Sequence, residues 1–362
     1  MELFLLFGAG SYYCFIVMII SGLLFRERTS AKYEQSLPFT TVVIAARNEE
    51  DNLSNLLDDL VNQKIDKNKF EVIIANDRSI DKTEDIINEY SDKYKFIKAI
   101  HIIKKAEMAP KKYALEKAIN KSKGEIILST DADCRVSSNW ATSMASLVNQ
   151  TDKVVIGYSR ISGQNSLIHE IQKIDFLGIM AANGGLLTNG IVCSGSGQNL
   201  GYKKKDFFDI GGFDEVKHRE SGDDMYIVQK ISKIKGAKFN YDKNSFVKTL
   251  PKNSFSAYIN QRIRWSSNSK LTLFTSPLFF LFLTSAFFAN VNILISILFS
   301  LNTFIILTVV KFLLELLVLN IGSKLFLTRV SFFSYIVWNL TQPIYILIVG
   351  IGGLADKFTW KK

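Results

Sequence analysis

Charge is spread so unevenly along this chain that it sets the architecture before any motif is read. Residues 2–25 and 277–354 are almost free of charged side chains, whereas the stretch between them carries nearly all of the Asp, Glu, Lys and Arg. The first run, ELFLLFGAGSYYCFIVMIISGLLF, reaches the roughly 20 apolar residues that cross a hydrocarbon core of about 30 Å. A cleaved signal peptide carries positive charge ahead of its apolar run. Here Glu2 precedes the run while Arg26 and Arg28 follow it, so an uncleaved anchor over residues 1–25 is expected. Arg26, Arg28 and Lys32 orient the C-terminal end of that anchor towards the cytoplasm. The charged middle of the chain is therefore expected to be cytoplasmic, on a multi-pass protein of the inner (plasma) membrane.

Three further apolar segments, near 277–299, 302–321 and 331–354, make a C-terminal membrane region over 276–354. Lys311 and Glu315 lie four apart inside the second and are expected to pair on one helix face. Such a pair marks either a functional, bundle-facing position or a local ion pair that lets the helix pack. One span before the polar region and three after it would leave Lys357, Lys361 and Lys362 outside, against the positive-inside tendency. A re-entrant or interfacial segment at that end would restore it.

Between the apolar ends, β-branched runs alternate with helical patterns. TVVIA at 41–45, FEVIIA at 70–75, FIKAIHII at 96–103, EIILST at 125–130 and KVVIGY at 153–158 read as strands. Residues 50–62, 81–92, 110–122 and 138–149 read as helices. That rhythm predicts an α/β domain over 38–253 with a mostly parallel sheet and flanking helices. Ligands of such sheets bind beyond the carboxyl ends of the strands, and four polar motifs fall there.

The formal net charge of +10 comes mostly from dispersed lysines. Dispersed positive charge suits anionic phospholipid surfaces and nucleotide phosphates. A nucleic-acid binder shows a concentrated basic stripe with interleaved aromatics, so that class of partner is set aside. Cys14, Cys134, Cys193, His101, His169 and His218 are widely separated, which implies neither a disulfide framework nor a His/Cys metal centre.

Chemistry-bearing residues follow the strands in order. Ala46, Arg47, Asn48 and Glu49 come after the first strand, where a helix start would offer free backbone N–H groups to an anion. The strand EIILST runs into Asp131-Ala132-Asp133. Alternate side chains of an extended segment point the same way, so the two carboxylates are expected to converge and to suit a hard Mg²⁺ or Mn²⁺ ion. A surface turn with two aspartates is the plain alternative. Asp223 and Asp224 open a helix, where aspartates are also ordinary caps. Residues 254–275 read as an interfacial helix with Phe255, Tyr258, Ile259 and Ile263 on an apolar stripe facing lipid or the spans. Gln261, Arg264 and Trp265 fall roughly opposite, suited to a diphosphate and an acceptor sugar, although Arg and Trp are also common interfacial anchors. Arg262 falls on the lipid-side stripe.

The ordered set Arg47-Asn48-Glu49, Asn76-Asp77-Arg78-Ser79-Ile80-Asp81, Asp131-Ala132-Asp133, Asp223-Asp224 and Gln261-Arg262-Ile263-Arg264-Trp265 resembles the membrane-embedded family 2 glycosyltransferases. These are relatives of cellulose and hyaluronan synthases and of ceramide glucosyltransferase. The resemblance covers roughly residues 38–270 and implies a GT-A-like fold. It implies a nucleotide-diphosphate sugar as donor, a UDP-sugar above all, with transfer by inversion to a hydroxyl of a glycan or a lipid-linked acceptor. By it, Ala46, Arg47, Glu49, Asp77, Lys111, Asp131 and Asp133 serve the donor, with Asp77 accepting a uracil imide and Asp133, assisted by Asp131, holding the metal. Gly197, Asp223, Gln261, Arg264 and Trp265 serve the acceptor or the departing diphosphate, and Asp224 deprotonates the acceptor. Asn76 replaces the usual first Asp, Pro110 a usual Gly, and Asp223 a usual Glu. A ceramide or polyprenyl-phosphate glycosyltransferase is the second reading, and an inactive membrane scaffold of the same fold the third.

Overall fold

The computed structural model describes residues 2–27, 33–34, 36–163 and 166–358, without the side chains of residues 2–8. Arg28, Lys32, Lys361 and Lys362, which enter the orientation argument, lie outside the described residues. The chain divides into a sheet-bearing unit, 28–160 with 194–250, and a helical unit, 1–27 with 161–193 and 251–362.

In the sheet-bearing unit the expected strands form as β1 (Thr40–Ala46), β2 (Phe70–Asp77), β3 (Ile97–Ile102), β4 (Ile126–Ser129) and β5 (Val154–Gly157). The short β6 (Ser159–Ile161) precedes β7 (Leu200–Lys203), β8 (Ala237–Asn240) and β9 (Val247–Thr249). Seven of these make one sheet in the order β3-β2-β1-β4-β7-β5-β8, while β6 and β9 form a separate ladder. All neighbours are parallel except β7, which runs antiparallel to β4 and β5. The order reverses direction at β1, between β2 on one side and β4 on the other, the place where such sheets bind ligands.

Helices α2 (Leu53–Val61), α3 (Thr83–Lys93), α4 (Pro110–Lys121) and α5 (Trp140–Thr151) cover the sheet near their expected positions. Leu53, Leu56, Leu57 and Leu60 recur at helical spacing on α2, and all four are buried with Val42, Ile44, Val72 and Ile74 of the strands. Each such side chain contributes about 1.5–3 kcal/mol of transfer free energy. This core fixes the strand ends from which the polar loops emerge.

The helical unit holds α1 (Glu2–Leu24) and α6 (Leu167–Thr188). The next helices, α7 (Lys204–Asp209) and α8 (Asp223–Lys235), belong to the sheet-bearing unit. The helical unit resumes with α9 (Phe255–Ser266), α10 (Ser269–Thr275), α11 (Pro277–Ser296), α12 (Leu301–Leu325) and α13 (Phe332–Leu354). The last three are long and apolar enough to cross a membrane, and they expose large apolar side chains such as Leu281, Phe288 and Leu313 that a lipid phase would cover. The single helix expected over 254–275 is instead two, broken at the helix-poor pair Ser267-Asn268.

Helix α6 has no counterpart in the sequence reading, which found no element between 158 and 194. It crosses α1 at glycines: a Cβ on Gly22 would meet the Gly185 carbonyl oxygen at 1.9 Å, so the two backbones approach as only glycine permits. The expected Lys311–Glu315 pair forms at 2.9 Å and is buried. Tyr12 of α1 donates to Glu315 at 2.6 Å, Asn339 of α13 donates to it at 2.8 Å, and Lys311 donates to Gln342.

Candidate active site

The loops after β1 and β2 are laced together by side chains. Asn48 and Arg78 adopt left-handed φ values of 53° and 55°, which turn each loop sharply back on itself. The backbone N–H groups of Asn48, Glu49 and Glu50 donate to Ser79, Thr83 and Asp81, at 3.0, 2.7 and 3.1 Å. Ile80 N–H returns a bond to Asn48 Oδ1 at 2.9 Å. This corrects one expectation: α2 begins only at Leu53, and the amides of residues 48–50 are committed within the protein rather than free for an anion. Ala46 is buried at the end of β1 in register with Asn76, and Glu49 accepts from Asn52.

Asp77 ends β2 and is buried. Arg78 grips both of its oxygens, Nε to Oδ1 at 2.8 Å and Nη2 to Oδ2 at 3.1 Å, and Arg47 stands 3.7 Å away. Asn76 holds the turn: its oxygen accepts from Ser79 N–H, while its amide meets Glu84 at 3.1 Å and His101 Nδ1 at 3.3 Å. His101 is thus part of the β2–β3 end rather than isolated.

A second cluster gathers at the end of β4. Lys111, in the first turn of α4, places Nζ 2.8 Å from Asp131 and 3.6 Å from Asp223. Burial lowers the affinity of Lys111 for its proton, but the Asp131, Asp223 and Asp224 carboxylates overcome this and raise its pKa. Gly222, at φ 82°, is the N-cap of α8. Asp224 in its first turn accepts from Gly197 N–H at 2.9 Å and Met225 N–H at 2.7 Å. Burial and the adjacent Asp223 charge push Asp224 up to about 6, against the pull of Lys111 and the two amides. Gly197 itself is seated by Ser129, which donates to its carbonyl at 3.1 Å. A Cβ there would lie 3.4 Å from Lys111 Nζ and 3.6 Å from Asp223 Oδ2, so the cluster closes around a residue without a side chain.

The DxD segment departs from its expected shape. β4 stops at Ser129, and Cys134 N–H donates to the Asp131 carbonyl at 3.1 Å, so residues 131–134 form a turn and strand alternation does not apply. Asp131 faces Lys111, while Asp133 Oδ1 accepts from the Cys134 thiol at 3.6 Å. Among the described residues no group of three or more His, Cys, Asp or Glu is placed to hold a metal ion. The oxygen donors still fit a hard dication, because Mg²⁺ and Mn²⁺ keep waters and take only one or two carboxylates plus substrate phosphates.

Two site-shaping residues escaped the sequence reading. Lys112 is buried and donates to the carbonyls of Arg219 and Ser221, tying down the loop that leads into Asp223 and Asp224. Its neighbour Lys111 differs by a hundred degrees of helix rotation, which is all that separates tether from site. Arg262 is the other. Its expected place on the lipid-side stripe is corrected: it is 3% exposed, because a buried guanidinium needs a counter-charge and Asp175 of α6 supplies it at 2.6 Å. The apolar face of α9 packs on α13, with Tyr258 stacked on Tyr345 at 5.7 Å between ring centroids.

Residues 41–211 match the family described as Glycosyl transferase family 2. The chain is 37% identical over 110 residues to "Probable glycosyltransferase YdaM" of Bacillus subtilis, covering 30% of this chain and 26% of that one. It is 34% identical over 119 residues to a beta-monoglucosyldiacylglycerol synthase of Nostoc sp., covering 33% and 25%. The chain therefore spans about a quarter of the length of these curated relatives. In fold it is similar to a mannosyltransferase from Pyrobaculum calidifontis in complex with GDP-Man and Mn²⁺, at a TM-score of 0.67 and 18% identity over 98% of each chain. Matched residues, named relatives and sheet agree: residues 41–211 are similar to the family 2 glycosyltransferases, and the sheet has a GT-A-like fold.

Proposed function

We propose that the protein transfers a sugar, with inversion, from a nucleotide-diphosphate donor to a hydroxyl of a glycan or lipid-linked acceptor at a membrane surface. The observation that carries this reading is the Asp224 carboxyl, held by two backbone amides and raised to about 6, within reach of working pH. Asp224 takes the acceptor proton as the oxygen attacks the anomeric carbon and the nucleoside diphosphate leaves. Asp223, beside it, raises its basicity. Arg47 and Asp77 sit at the neighbouring strand ends, suited to a nucleobase such as uracil, and Lys111 supplies positive charge for the diphosphate. Asp133, with Asp131, would hold a Mg²⁺ or Mn²⁺ ion. When bound, that ion neutralises charge on the leaving diphosphate. Gln261, Arg264 and Trp265 keep the acceptor- and diphosphate-binding roles that their motif implies; those roles rest on sequence.

The domain limits 38–253, 254–275 and 276–354 follow the same reading, with the catalytic domain cytoplasmic at the inner (plasma) membrane. Arg26 after α1 and the three apolar C-terminal helices support it. A lipid acceptor is the specific alternative, favoured by the relative named as a glucosyldiacylglycerol synthase. A hydrolysis screen of UDP- and GDP-sugars with purified protein and Mn²⁺ tests the first claim, and no turnover of any donor would refute it. Radiolabel recovered in chloroform extracts rather than in ethanol-insoluble polymer decides for the lipid.

A further inference from the structure

The QRIRW segment contains a residue that its sequence pattern does not explain, Arg262. Its guanidinium carbon lies over the Trp265 ring, 4.1 Å from the centroid, and over the Tyr258 ring, 4.9 Å from its centroid. Nε donates to Asp175 Oδ2 at 2.6 Å, and Nη1 donates to Gln261 Oε1 at 3.1 Å. Asp175 is 6% exposed, and the Tyr345 hydroxyl reaches the same Oδ2 at 3.4 Å. Phe176, next to Asp175, packs on Trp265 with centroids 5.9 Å apart. One planar group therefore touches the residue before it and the residue three after it, both of which carry proposed binding roles. α6 supplies the carboxylate that fixes its plane.

We infer that Asp175 is a positioning residue for glycosyl transfer, acting through Arg262 to set the Gln261 amide and the Trp265 ring. The inference rests on the function proposed above. A lysine at 262 would keep the charge opposite Asp175. It lacks the planar fork that engages a carboxylate and an amide oxygen together while stacking on an indole. Geometry of this kind is decisive in transfer, where a displacement of about 1 Å costs on the order of a hundredfold in rate.

The test uses the full chain in detergent with Asp175→Asn and Arg262→Lys. Acrylamide quenching of Trp265, taken as the difference between each protein and its Trp265→Phe counterpart, reads the ring directly. Quenching should rise in both variants. Transfer, measured with the donor and acceptor found by the screen above, should fall by about a hundredfold, while UDP affinity and melting temperature stay near wild type for Arg262→Lys. Should Asp175→Asn fail to fold, Arg262→Lys decides alone. Unchanged quenching and unchanged transfer overturn the inference. So does a loss of transfer matched by equal losses of UDP affinity and thermal stability, since a plain packing role gives that pattern. A wild-type protein that turns over no nucleotide sugar refutes the proposed function instead, and the quenching result still judges the pair.

Discussion

Two clusters in this molecule are built from the same groups, a lysine among acids, and end in opposite states. Around Lys111, two ammoniums, Lys111 and the tethered Lys112, act on three carboxylates, Asp131, Asp223 and Asp224, so negative charge is in excess, and the side chains of Lys111 and Asp131 are about a quarter exposed. Around Lys311, one ammonium meets one carboxylate, and Tyr12, Asn339 and Gln342 take up further hydrogen-bonding capacity of the pair, all buried. A balanced and satisfied cluster ties helices together; an unbalanced and wetted one has capacity left for a cation, a phosphate or a proton. The difference lies in stoichiometry and access rather than residue type.

The largest expected effect breaks the unbalanced side. Asp224→Asn keeps the shape of the carboxyl but cannot take a proton, so transfer should fall by about 10²–10⁴-fold while donor binding persists. Initial rates set beside UDP affinity by calorimetry check this, and near wild-type transfer would remove Asp224 from the mechanism. Next comes the balanced side. Lys311→Met strands the buried Glu315 charge and should cost about 3–5 kcal/mol of stability, whereas Lys311→Met with Glu315→Leu should recover most of it. Thermal unfolding in detergent measures both. If the double variant were as unstable as the single one, the network would be more than a neutral tie.

How far the sequence reveals each side follows from distance along the chain. Lys311 and Glu315 lie four apart on one helix, so their pairing was legible; Tyr12 and Asn339, some 300 and 24 residues from Glu315, were not. The first five strands and the polar strand ends were legible because hydrophobic period and turn residues are local signals, whereas the order of the strands in the sheet and the short β6 to β9 were not. Helix α6 was not, since its apolar residues run around the helix and Gly184-Gly185 reads as a break, though it serves as a close-approach surface. The partnership of Asp175 and Arg262, 87 positions apart, had no local trace. The free-amide expectation after β1 failed for a related reason: the side chains that consume those amides come from the next loop, 31 to 34 residues on.

A smaller effect sharpens the claim that the Lys111 cluster has room for a dication. Asp133→Ala should weaken Mn²⁺-dependent UDP binding, since a hard ion loses an oxygen ligand, and should leave the fold intact. Binding titrations with and without EDTA give the comparison. Equal UDP affinity in excess EDTA and in Mn²⁺, for the wild type, would show that protein cations balance the diphosphate without a metal ion.

The smallest expected effect separates the chemistry of the cluster from the stability of the sheet by pH. Asp224 titrates near 6, so the base is lost as pH falls through that value, and transfer should drop about tenfold for each unit below it. The sign for folding is opposite. A carboxyl whose folded pKa lies above its unfolded value of 3.8 binds protons more tightly when folded, so between about 6 and 4 this group favours the folded state increasingly as pH falls. Glu71 runs the other way. Burial raises its pKa, but the Lys123 amide, Lys98 and Thr41 overcome this and hold it below the ordinary 4.5. Its contribution is therefore complete above 4.5 and lost as pH falls through the lower folded value. The unbalanced cluster should thus fail near pH 6 in a protein that is still folded, and the sheet only at lower pH. Transfer rate and far-ultraviolet circular dichroism recorded on the same samples from pH 8 to 3 test this. A single coincident transition would mean that acid inactivation is unfolding, and that Asp224 does not set the acid limb.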